Sequence, residues 1–107
     1  MSDIPEPDWK LLRELKSVAL ERLCERILRR ADEIRTQSGL TNHQRYIKLR
    51  ELIHEQDKKV ALAFDDHRRS TAFLKTMQIH RLGLLTDEEF AEFSEQSRKQ
   101  VLEVESI

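Results

Sequence analysis

Between Trp9 and Ile34, apolar residues recur at three- and four-residue steps: Trp9, Leu12, Leu15, Ala19, Leu20, Leu23, Cys24, Ile27, Ala31 and Ile34. That spacing lays one broad apolar stripe along an α-helix. Pro7, whose φ is preset, and Asp8, which complements the helix dipole, suit its first turn. Nothing breaks the helix before about Thr36, and Gly39 supplies the left-handed stop that follows. Leu11, Val18 and Leu28 lie off the stripe, so this helix is expected to touch more than one neighbour. Residues 1–6 read as a frayed arm ahead of it.

Thr41, answered by Gln44 three residues on, reads as a capping box that opens a second helix. From Asn42 to Leu82 neither Gly nor Pro interrupts the chain. Tyr46, Ile53, Val60, His67 and Leu74 alternate with Leu49, Gln56, Ala63, Ser70 and Met77 in a strict heptad rhythm. A continuous helix of that length would reach about 60 Å. A compact domain of this size has a radius of gyration of only ~13 Å. Either the helix breaks, for which Asp65 and Asp66 offer the best caps, or a second chain covers what protrudes. His67 on this seam reads as a pH-responsive group or as a polar layer that sets register, and the register role is the simpler.

Gly83 closes the segment, and the next start signal is the clearest in the chain. Thr86 can cap with Glu89 at N3, Asp87 and Glu88 fill the first turn, and Leu85 and Phe90 occupy the staple positions. Phe90 and Phe93 then point one way from a short helix, as if presented to a partner. Ser94 restarts a last helix carrying Val101, Leu102 and Val104. The stretch from Leu82 to Phe90 resembles the turn of short helical-hairpin modules, including SHOCT-type C-terminal oligomerisation segments. The likeness extends over one turn, and no residue role follows from it. These elements predict a single all-α domain over 1–107. It is a small bundle of four to five helices: two long antiparallel helices plus a C-terminal hairpin over 83–107.

Composition narrows the classes further. Two Gly and two Pro are too few for a β-rich architecture or for phosphate-cradling loops. The lone Cys24, beside Leu20 and Ile27 on the apolar stripe, excludes a disulfide framework and reads as a buried inert thiol. It suits a reducing, cytoplasmic setting. No apolar run approaches the ~18 residues of a membrane span, and the acidic start (Ser2, Asp3, Glu6, Asp8) is unlike a targeting peptide.

The formal charge of −1 is unevenly spread. Residues 1–41 are neutral, residues 42–85 carry nine basic and five acidic side chains, and residues 86–107 carry two basic and seven acidic. The middle segment is either a basic surface for an anionic partner or a set of solvated helix faces with i,i+4 pairs, and the solvated reading is the default for soluble helices. A nucleic-acid surface would draw on His67, Arg68, Arg69, Lys75, His80 and Arg81. However, the helix after the following turn is acidic, which is the wrong polarity for a helix-turn-helix reader.

Catalytic signatures are scarce. His54-Glu55 is not followed by the second His of a metalloprotease helix, and no nucleophile elbow or P-loop is present. Glu51-Leu-Ile-His54 has the E-x-x-H spacing of di-iron bundles, but the second copy such a site needs is missing. No catalytic residue, metal ligand or cofactor is therefore assigned. The expected function is a non-enzymatic protein–protein interaction or regulatory module, homodimeric through its amphipathic helices. The interaction candidates are Tyr46, Leu49, Ile53, Val60, His67, Arg68, Arg69, Leu74, Met77, Phe90 and Phe93. The rival expectation is a nucleic-acid-associated protein using residues 42–81.

Overall fold

A computed structural model describes residues 4–106 of the chain. Five α-helices and a 3-10 turn follow in order: α1 (Glu6–Thr36), α2 (Asn42–Phe64), the turn (Arg69–Thr71), α3 (Ala72–Arg81), α4 (Asp87–Ala91) and α5 (Glu95–Glu105). There is no strand among the described residues, so the all-α bundle with two long antiparallel helices stands.

The chain enters α1 through Pro5 at the N-cap, and the expected arm is not frayed where it can be described. Ile4 is buried in the core, and its carbonyl accepts from Arg69 Nη2 at 2.9 Å. Met1–Asp3 of that arm lie outside the described residues. Asp8 departs from its expected role as well. Its side chain is 2% exposed and accepts from Ser94 N at 2.8 Å, Ser94 Oγ at 2.6 Å and Ser97 Oγ at 2.6 Å. It therefore secures the first turn of α5 rather than only complementing its own helix. Ser94 in turn accepts from Ser97 N as the α5 N-cap.

The capping box of α2 forms as the sequence predicts, with Thr41 Oγ1 accepting from Gln44 N at 3.1 Å and Gln44 Oε1 accepting from Thr41 N at 2.8 Å. The helix ends at Phe64, which settles the choice between a continuous rod and a break. Asp65 is the C-cap of α2, and neither aspartate side chain caps a new helix start, where Arg68 and Thr71 stand. Asp66 instead takes up a left-handed conformation (φ 58°), one of the few non-glycine side chains suited to that region. Thr71 Oγ1 donates to the Asp66 carbonyl at 2.6 Å and accepts from Arg68 N at 3.0 Å, holding the reversal closed.

Distant residues serve the exposed ends of the helices. The Leu62 carbonyl, in the last turn of α2, accepts from Lys75 Nζ at 2.6 Å. At the end of α3, Gly83 (φ 71°) completes a Schellman motif, with Gly83 N donating to His80 O and Leu84 N to Ile79 O. Arg26 of α1 then covers the Leu82 and Gly83 carbonyls, both at 2.6 Å. The Thr86 box is present in full, and its Glu89 also pairs with Arg22 of α1, which reaches the Leu84 carbonyl at 2.8 Å. Hydrogen bonding to the Arg22 guanidinium holds the Glu89 carboxyl below the usual carboxylate range.

These tethers gather Leu12, Ala19, Leu23, Phe64, Phe73, Ile79, Leu84, Phe93 and Val101 into one buried cluster. Two predictions follow from the polar clasps around it. Asp8→Ala leaves three donors unmatched, the Ser97 hydroxyl among them buried, and costs about 1.5–3 kcal/mol in urea unfolding, with Asp8→Asn recovering part of the loss. Thr86→Ala costs about 1 kcal/mol. Combined with Arg22→Ala, it departs from additivity by at least ~0.5 kcal/mol, because both act through Glu89. Additive behaviour would show that the Thr86 cap on Glu89 N and the Arg22 pair with the Glu89 carboxylate act independently.

Candidate functional site

The heptad seam from Tyr46 to Met77 is not one surface, because the reversal at Asp66 cuts it. Its members have different fates within each half. Val60 and Met77 are partly buried against the core, while Leu74 stays exposed on α3. The buried side chains of α2 are Gln56 and Ala63 of the predicted seam, with Leu52 and Phe64 beside it, so one edge of the seam turns inward while Tyr46 and Ile53 stay exposed. Phe93 is 2% exposed and belongs to the core, so it is not presented to a partner. Phe90 is partly buried and its ring lies 4.0 Å from that of His80, centroid to centroid. His80 in turn pairs with Glu105 at 2.8 Å, tying α5 to α3.

The reversal also engages three members of the basic cluster. Arg68 pairs with Asp66, Arg69 with Glu6 and the Ile4 carbonyl, and Lys75 with the Leu62 carbonyl. Hydrogen bonding to Arg68 lowers the Asp66 pKa. His67 is a helix-end partner rather than a register layer: its Nε2 lies 2.8 Å from the Ala63 carbonyl, and its ring stacks on Phe64. A carbonyl only accepts, so Nε2 carries the proton and the buried Nδ1, which has no partner among the described residues, is bare. Burial is the main cause that pushes the His67 pKa down, partly offset by the Ala63 contact.

What remains open is the far half of the α1–α2 hairpin. The third layer ends where Arg26 meets the end of α3, and no residue from Cys24 to Glu51 is buried. The molecule is correspondingly long, 52 × 28 × 25 Å, with a radius of gyration of 16.6 Å, against ~13 Å expected for compact packing. In this half, Ala31 and Ile34 of α1 line a groove with Tyr46 and Leu49 of α2, flanked by Arg35 and Arg45. A second groove continues from Tyr46 and Leu49 past Arg50 to Ile53, His54 and Asp57. Tyr46 is 58% and Ile53 41% exposed, large values for apolar side chains aligned on one helix.

The sequence therefore identified Tyr46, Leu49 and Ile53 but missed Ala31 and Ile34, whose stripe positions implied full cover. Cys24 departs in the same way, whereas α1 does touch more than one neighbour, α2 and α3, with the off-stripe Leu11 packed against the core. Cys24 is only partly buried, and of the off-stripe residues Val18 is exposed and Leu28 is 63% exposed. No group of three or more His, Cys, Asp or Glu suited to a metal ion occurs among the described residues, and Glu51 and His54 are both exposed. Among the same residues, no helix is long and apolar enough to cross a membrane. The chain matches no family model, no curated protein and no solved structure.

His67 generates a pH prediction. A folded-state pKa below the unfolded value of ~6.5 means that the unfolded chain takes up the proton more readily. Its contribution to stability is therefore complete above that value and drains away as pH falls through it. The stability difference between the wild type and His67→Gln should shrink between pH 7 and pH 5. A difference constant across that range in urea titrations would contradict the assignment.

Proposed function

We propose that this chain is a non-enzymatic helical interaction module that self-associates through the uncovered face of its α1–α2 hairpin. One observation carries the reading: a stretch from Cys24 to Glu51 contains no buried residue, yet it aligns Ala31, Ile34, Tyr46 and Leu49 along one groove. Helices draw most of their stability from burying an apolar face. Two helices packed only on each other leave part of that face wet, and a second hairpin laid against it completes a four-helix arrangement. A two-fold pair is the commonest way for one such surface to be covered.

Supporting arguments come from the rest of the chain. The cations that a nucleic-acid surface would need between Arg68 and Lys75 are engaged with Asp66, Glu6 and backbone carbonyls. The chain carries no recognisable catalytic motif, and the hairpin groove is lined mainly by aliphatic and aromatic side chains with Arg35 and Arg45 beside them. A protein partner, the chain itself first, suits that lining better than a small substrate. The single Cys24, unpaired, fits a cytoplasmic setting.

Sedimentation equilibrium over a hundredfold range of concentration tests the proposal. The expected result is a species of twice the 12.7 kDa chain mass at the upper end. Ile53→Glu should shift the dissociation constant upward by at least ~10-fold with helical content unchanged. A mass of 12.7 kDa at every concentration would overturn the reading.

A further inference from the structure

Charges flank the apolar stripe of α2 in an order that constrains how two copies can meet. Tyr46, Leu49, Ile53, Gln56 and Val60 follow the a and d positions of a heptad, which makes Arg50 and Asp57 successive e positions beside them. Both lie on the edge of the second groove, in one line with His54. Seven residues separate them, about 10.5 Å along the axis, so they cannot pair within one helix. No ion pair among the described residues uses either one. Arg50 only lies over the Tyr46 ring, 6.0 Å from its centroid.

Resting on the self-association proposed above, the geometry points to an antiparallel contact between the α2 helices of two copies. The two-fold axis passes level with Ile53 and His54. In that register Arg50 of each copy faces Asp57 of the other, giving two equivalent ion pairs. Leu49 of one copy lies close to the level of Val60 of the other, and the two Ile53 side chains approach the axis. A parallel arrangement has the opposite consequence: Arg45, at the preceding g position, would face Arg50 of the second copy. Charges at e and g positions set partner choice and orientation in helical pairs, so α2 favours one orientation and opposes the other. The exposed part of the stripe, Tyr46, Leu49 and Ile53, supplies the burial, and the Arg50–Asp57 line supplies the direction.

The test uses four full-length proteins, with circular dichroism to verify that each is folded: the wild type, Arg50→Glu, Asp57→Lys and the double variant. Each single change sets like charges against each other twice and should weaken self-association about tenfold. The double variant re-forms both pairs with reversed sign and should return to within about twofold of the wild type. An equimolar mixture of the two single variants should associate as tightly, because every contact in the mixed pair is then complementary. If the singles weaken association and the double variant stays weak, the antiparallel register is overturned while self-association stands. Wild-type affinity in all four proteins would remove the Arg50–Asp57 contact in the same way. A wild type that remains monomeric removes both the register and the reading it rests on.

Discussion

At Asp66 the backbone turns into a left-handed conformation, and everything C-terminal to it depends on that turn. Without it, α2 and α3 would run on as a rod and the α1–α2 hairpin would have nothing packed across it. With it, α3 folds back, and Phe73, Ile79 and Leu84 reach Leu12, Ala19 and Leu23 to make a third layer. The cost of a left-handed non-glycine residue is about 1–2 kcal/mol. Burial of a few large apolar side chains, each worth about 1.5–3 kcal/mol, exceeds it.

Because α3, α4 and α5 are short, their ends lie close to the core, where unsatisfied carbonyl and amide groups are expensive. Long side chains from other elements meet that need. Lys75 serves the end of α2, Arg26 the end of α3 and Asp8 the start of α5, while Arg22 braces the cap of α4. Much of the charge that looks available in the sequence is thereby committed to holding helix ends together. A buried polar group with its partner in place mainly fixes geometry, which here means the angle at which each short helix meets the long pair.

The same third layer leaves the other half of the hairpin bare. It reaches only as far as Arg26, and among the described residues no side chain from Cys24 to Glu51 is buried. Fold and proposed function are therefore two consequences of one length mismatch. The long helices outrun the short ones, and the proposed self-association rests on the surplus apolar surface.

Periodicity and end signals are local, and they determined the all-α class, the two long helices, the capping boxes at Thr41 and Thr86, and the glycine stops at Gly39 and Gly83. Each depends on side chains within four residues of the backbone groups they serve. The choice at Asp65 and Asp66 was open in the sequence, because a heptad rhythm with no Gly or Pro supports a rod as well as a break. Burial of Phe73 and Ile79 decided it, and that is a contact between elements. Equally non-local were the burial of Ile4 and Phe93, the use of Arg68, Arg69 and Lys75 as internal partners, and the incomplete burial of Ala31 and Ile34. Periodicity shows that a residue belongs to an apolar face. Only the tertiary structure decided how far along that face a neighbouring helix extends.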